Sequence, residues 1–178
     1  MNPAITIEET KDWEWLDSIG RMPETYDSMT FDGVPLRDTI STRKLVDNAN
    51  NVFYKVLAKG EPVGWMMAEW LGGHEYKTHN TMTLKCRGDK AITACRLGIE
   101  QMFARHGATV LRGACPDYHP GAIVVSGACG FKVDAYVSNV GTKGGKSFGE
   151  HHMSLTRDEW ESKKKEILWV GVEQQWGR

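Results

Sequence analysis

The sequence predicts an α/β (α+β) fold built on a mixed sheet, and three observations carry the prediction. Val52–Ala58 and Val63–Trp70 are apolar runs separated by the turn Lys59-Gly60-Glu61-Pro62, which makes an antiparallel hairpin. The stretch Thr81–Ala104 opens with strand alternation at Met82 and Leu84, breaks at Arg87-Gly88-Asp89-Lys90, and continues as a helix. Ile92, Cys95, Ile99, Met102 and Phe103 share one face of that helix. After the helix stop Arg105-His106-Gly107, Ala108–Ala114 reads as a strand. Strand, helix and strand with so short a connection form a parallel, right-handed crossover.

The remaining elements follow in chain order. Ala4–Glu8 alternates and reads as a first strand, and Thr10–Ile19 as a helix facing inward through Trp13 and Leu16. Arg21–Pro35 holds two prolines and a glycine and reads as loop; Leu36–Val46 reads as a second helix, closed by the breaker Asn48–Asn51. Leu71–His79 reads as a connection leading into the strand before the basic turn. Gly121–Ala128 is a short helix ended by Gly130, Phe131–Val140 alternates as a strand, and Gly141–Gly149 reads as a flexible loop. Glu150–Leu155 is the last strand, on the sheet edge, so its adjacent His151 and His152 point to opposite faces and cannot share a metal. Thr156-Arg157-Asp158-Glu159 is a capping box with Leu155 and Trp160 at the staple positions, so a helix is appended at about residues 156–170. The run Lys163–Lys165 on it reads as a solvated face.

Composition narrows the class. The chain has 178 residues, which favours one domain, residues 1–178, over two. A net charge of −1 gives no global field toward nucleic acid or membrane. No apolar run approaches the roughly 18 residues of a membrane span, and MNPAITIEET lacks the basic start and apolar stretch of a signal peptide. Cys86, Cys95, Cys115 and Cys129 show no CxxC spacing and no histidine in zinc register, so they read as reduced thiols of a cytoplasmic protein without a metal. Trp65, Trp70 and Trp160 lie in patterned segments and read mostly as core or interface bulk; Trp169 and Trp176 are candidates for a homodimer interface.

Arg87-Gly88-Asp89-Lys90 is where chemistry enters. A helix start leaves backbone N–H groups without partners, and the helix dipole adds partial positive charge there. A basic, glycine-bearing turn at that point suits an anionic phosphate.

With these elements in order, the chain resembles the GNAT superfamily of N-acetyltransferases. That family binds acetyl-CoA with a loop written Q/R-x-x-G-x-G/A. Here the register is Lys85-Cys86-Arg87-Gly88-Asp89-Lys90 followed by Ala91, with Gly88 on the first glycine and Lys90 in place of the second. A second family segment, N-x-x-A-x-x-L-Y-x-K-x-G-F, matches the spacing from His119 to Phe131: Ala122 and Gly130-Phe131 coincide, His119 replaces the asparagine, and Ser126 replaces the tyrosine. The resemblance implies a mostly antiparallel sheet with one splayed strand pair flanked by helices. It implies acetyl-CoA bound by Leu84, Cys86, Arg87, Gly88, Asp89, Lys90, Ala91, His119, Ala122 and Ser126. It also implies a cleft around Leu84 and Leu111 and a backbone donor near Thr83–Cys86 for the thioester carbonyl.

Transfer to an amine needs a base, an acid and an oxyanion donor. Glu69 is the expected base, with His74, Glu75 and His79 beside it; Tyr118 is the expected acid, with Tyr136 second. The expected function is direct acetyl transfer from acetyl-CoA to an amine on a small molecule or protein. The alternative is a GNAT-fold binding or structural module without catalysis, such as tailed phages carry. A third reading is an unrelated α/β domain that uses the turn for nucleotide phosphates; the missing G-x-x-x-x-G-K-[ST] pattern argues against it.

Overall fold

The computed structural model describes residues 5–33 and 39–165. The elements are β1 (Ile5–Glu9), α1 (Trp13–Gly20), α2 (Pro23–Met29), α3 (Thr39–Asp47), β2 (Val52–Ala58), β3 (Glu61–Gly72), β4 (Glu75–Met82), α4 (Asp89–Arg105), β5 (Val110–Pro116), α5 (Pro120–Ala128), β6 (Lys132–Lys143) and β7 (Lys146–Thr156). A final helix, α6, occupies residues 157–165.

Seven strands form a sheet in the order β1-β2-β3-β4-β5-β7-β6. The β4–β5 pairing is parallel and the others are antiparallel. β4 and β5 pair only at Glu75↔Val110, Tyr76↔Leu111 and Lys77↔Arg112. Beyond that point each strand stays with its other neighbour: Thr78–Met82 with β3, and Gly113–Pro116 with β7. The two strands therefore splay, and the sheet opens in its middle.

Strand alternation sends the buried side chains to two clusters. On one face Val56, Met66, Tyr76, Met82 and Leu111 meet Ala94, Ile99 and Phe103 of α4, together with Trp160 of α6. On the other, Phe53, Trp65 and Met67 meet Leu16 and Ile19 of α1 and Val46 of α3. No described helix is long and apolar enough to cross a membrane.

Several expectations are corrected. The segment read as a connection, Leu71–His79, contributes most of β4 and the end of β3. β4 hides from an apolar-pattern reading because Thr78, His79 and Asn80 border the opening rather than a filled core. Pro23, read as a breaker, is the first residue of α2, where its missing N–H costs nothing. Residues 36–38 of the second predicted helix lie outside the described residues. Gly141–Gly149 is mostly strand: only Gly144-Gly145, both with positive φ, forms the β6–β7 turn. β7 lies inside the sheet and β6 is the edge. His151 and His152 face separate acids, Asp117 at 3.4 Å and Glu150 at 3.6 Å. Trp70 is exposed, its indole N–H donating to the Gly73 carbonyl at 3.1 Å. Trp169 and Trp176 lie outside the described residues.

The capping box folds as its spacing dictates. The Thr156 N–H donates to Glu159 Oε2 at 3.0 Å, and the Glu159 N–H to Thr156 Oγ1 at 3.3 Å. More than an appendage, α6 places Trp160 in the main core, its indole N–H on Glu100 Oε2 at 2.6 Å. Lys164 is ion-paired to Glu161 and Glu100 at 2.7 and 3.7 Å. The Lys132 ammonium, then the Thr156 amide, hold the Glu159 carboxyl down at about 2, against an ordinary value of 4.5. A depressed carboxylate stabilises the fold fully above its unfolded pKa, and the contribution disappears as pH falls through the folded one. Glu159→Gln is therefore expected to destabilise the protein by about 1 kcal/mol at pH 7. That difference should shrink between about pH 4.5 and pH 2 in urea titrations; a difference independent of pH would contradict it.

Candidate active site

A cavity of about 980 Å³ fills the opening between β4 and β5. Residue alternation divides its wall into two sides. Toward α4 and α5 stand Met82, Ala91, Cys95, Cys115, Ala122 and Ser126. Toward α2 stand Met29, Trp65, Met67, His79, Thr81 and His119. Two contacts tie α2 to this rim. Thr81 Oγ1 donates to Met29 Sδ at 3.2 Å, and His119 Nε2 lies 3.1 Å from the Ser28 carbonyl.

One end of the cavity is the start of α4. Gly88 caps that helix at φ 58° and ψ −130°, a backbone that glycine adopts without strain. Ile92 N–H is the first amide to reach a carbonyl of the turn, Gly88 O at 3.1 Å. The amides before it have no acceptor within the helix and carry the positive end of its dipole. Arg87, Gly88 and Ala91 border the cavity there. Its exposed guanidinium adds a full charge.

On the α2 side, His79 Nε2 and Glu69 Oε2 stand 3.3 Å apart, at ion-pair distance. Each side chain is about one-third exposed, at 36% and 37%. The β3–β4 register places Met67 opposite His79 and Glu69 opposite Lys77, so the pair meets diagonally across one face. The same register decides where the amides of β4 point. Thr83 N–H donates to Val63 O at 3.0 Å, which makes alternate β4 residues, Thr81, His79 and Lys77, bond toward β3. Hence the amides of Asn80 and Met82 face the opening, where β5 no longer pairs. Across the cavity, Cys115 Sγ and Ser126 Oγ lie 3.6 Å apart, and burial pushes the Cys115 thiol up. All four cysteines are buried and unbridged.

No protein-family model and no curated protein sequence matches this chain. Solved structures do. Spermidine N-acetyltransferase from Vibrio cholerae in complex with CoA and spermine is 11% identical, with a TM-score of 0.73, over 88% of this chain and 97% of that one. An acetyltransferase of the GNAT family from Bacillus anthracis is 14% identical, with a TM-score of 0.66, over 89% and 99%. The fold is that of the GNAT acetyltransferases. At these identities the likeness is one of architecture, and the site rests on its own geometry.

Within the GNAT fold the structure brings some expected residues together and separates others. Arg87, Gly88, Ala91, His119, Ala122 and Ser126 all border the cavity. Leu84 does not: it is 68% exposed in the turn after β4, because β4 ends at Met82. Cys86 is buried under that turn rather than open to the cavity. Asp89 points outward from the first turn of α4, and Lys90 donates to the Lys85 carbonyl at 3.2 Å. The cleft expected around Leu84 and Leu111 lies instead between Thr78–Met82 and Gly113–Pro116. Within Thr83–Cys86, where the donor was expected, the amides of Thr83, Leu84 and Cys86 are engaged by Val63 O, Glu24 Oε1 and Thr83 O.

Glu69 stands behind His79 and does not itself border the cavity. His74 and Glu75 sit at the closed end of the β4–β5 pair, with Glu75 on Arg112 at 2.9 Å. Tyr118 is turned away: its ring meets Phe148 edge-on at 4.7 Å, under the Lys143 ammonium at 4.9 Å. Burial raises its hydroxyl pKa. Tyr136 donates to Asp117 at 2.8 Å. Met29, Trp65, Asn80 and Met82 were missed as site residues. For the two amides no side-chain signal existed to find them.

Proposed function

We propose that this chain is an acetyl-CoA-dependent N-acetyltransferase acting on an amine by direct transfer. The observation that carries the reading is the splayed, unfilled gap between β4 and β5. It has a basic helix start at one end and a histidine–carboxylate pair on the opposite side. A gap closed by side chains would have favoured the alternative, a binding or structural module without chemistry. The Vibrio cholerae structure with CoA and spermine supports both the donor and the amine acceptor.

The residues fit the cofactor. Arg87 and the unpaired amides at the start of α4 suit its pyrophosphate. The wall of Ala91, Cys95, Ala122 and Val125 suits its pantetheine arm. Acetyl-CoA supplies an activated acetyl group as a thioester: the net exchange forms one C–N bond, breaks one C–S bond and moves one proton from nitrogen to sulfur.

His79 takes the amine proton, and Glu69 steadies the imidazolium that results. The amides of Asn80 and Met82 donate toward the negative charge that develops on the carbonyl oxygen. Ser126, beside Cys115, is the hydroxyl on the α5 side from which a proton reaches the departing sulfur. A titration with acetyl-CoA, followed by an assay of thiol release with and without a primary amine, tests this reading. Binding with amine-dependent release is expected; release at the same rate without amine, or no binding, overturns it.

A further inference from the structure

Among the described residues, the cavity wall carries no aspartate or glutamate. Among the described residues that border it, Arg87 is the one permanently charged side chain, and it lies at the α4 end. Glu69, close behind the α2 side, is already turned to His79. A polyamine brings two or three ammonium groups, and each one taken out of water needs a carboxylate or several oxygens in return. The α2 side offers Met29, Trp65 and Met67 instead, and Met67 is buried. These walls suit one amine on an apolar body.

A second observation says what that body carries. Trp65 is 9% exposed, and its indole Nε1 is buried without a hydrogen-bond acceptor among the described residues. Buried donors are nearly always partnered, and one left alone is destabilising until an acceptor arrives. Trp65 borders the 980 Å³ cavity and also a space of about 60 Å³ beside α1. In the smaller space Asp17 is engaged by Arg21 at 2.6 Å and by Thr42 at 3.0 Å. The larger cavity is where a new oxygen can enter.

We propose that the acceptor is a monoamine with a flat apolar body and one uncharged oxygen that receives the Trp65 N–H, and not a polyamine. This rests on the acetyltransferase reading. Its own content is the choice among amines.

Three amines separate the alternatives: tyramine, 2-phenylethylamine (the same body without the oxygen) and spermidine. Thiol release from acetyl-CoA is measured for each with the wild-type chain and with Trp65→Phe, alongside calorimetry of acetyl-CoA. The wild type is expected to show kcat/KM for tyramine at least about tenfold above spermidine, with 2-phenylethylamine between them. Trp65→Phe is expected to lower the tyramine value about tenfold more than the 2-phenylethylamine value, since only tyramine loses a partner. A general packing role would lower both equally, and that result overturns the assignment of the N–H. Spermidine as the best acceptor, or acetyl-CoA binding with no transfer to either arylalkylamine, overturns the choice of class. Failure to bind acetyl-CoA overturns the acetyltransferase reading and this inference with it. If Trp65→Phe does not fold, the wild-type ranking of the three amines decides alone.

Discussion

Replacing His79 with alanine is expected to lower kcat for acetyl transfer by about 100- to 1,000-fold, the usual contribution of a positioned base. Acetyl-CoA affinity should stay close to wild type, because the phosphate end of the cavity lies at Arg87 and Gly88, across the opening from His79. The split matters more than the size of the loss. A residue that merely shaped β4 would change binding and turnover together, whereas a proton acceptor acts on turnover. Glu69→Gln is expected to lose less, since the imidazole keeps its place in the sheet and loses only the carboxylate 3.3 Å away. Steady-state kinetics at saturating acetyl-CoA would check both. A His79→Ala enzyme within a few-fold of wild-type kcat would remove this histidine from the chemistry.

Gly64→Ala is expected to be the most damaging of the small substitutions near the site, lowering stability by about 2–3 kcal/mol. An added Cβ would stand 2.4 Å from the Thr81 carbonyl oxygen and 3.0 Å from Met82 Cα. Both are backbone atoms of β4, so no side-chain rotation relieves the contact; the strands must part where Gly64 pairs with Met82. A fall in Tm of about 5–10 °C is expected for a chain of this size. Because β4 also forms the cavity wall, activity should fall with it. A Tm within about 1 °C of wild type would mean that β3 and β4 yield at little cost.

The parts of this fold that are legible in the sequence are those whose signal is local or apolar. The β2–β3 hairpin, α4, the crossover into β5 and the capping box of α6 all announce themselves by turn chemistry or periodic burial. β4 does not, since its run Glu75–Met82 is mostly polar, as befits a strand that borders an opening over its second half. β6 alternates as far as Val140, but its last residues, Gly141-Thr142-Lys143, carry no alternating pattern to follow. The site divides in the same way. Arg87-Gly88 is visible because charge and glycine before a helix are readable together, and His119, Ala122 and Ser126 because their spacing is. Glu69 and His79 are visible singly, but their meeting depends on a cross-strand register set by the Gly73-His74 turn between β3 and β4. The Asn80 and Met82 amides have no side-chain signature, and the Trp65 N–H is distinguished only in three dimensions, by the absence of an acceptor among the described residues.

The most direct test of the central claim is a calorimetric titration of acetyl-CoA into the wild-type chain and into Arg87→Ala. Micromolar binding, about −8 kcal/mol, is expected for the wild type, weakened about tenfold in the variant by loss of a charge-assisted phosphate contact. No heat at millimolar acetyl-CoA, or equal affinity in the two proteins, would contradict the placement of the cofactor on this turn.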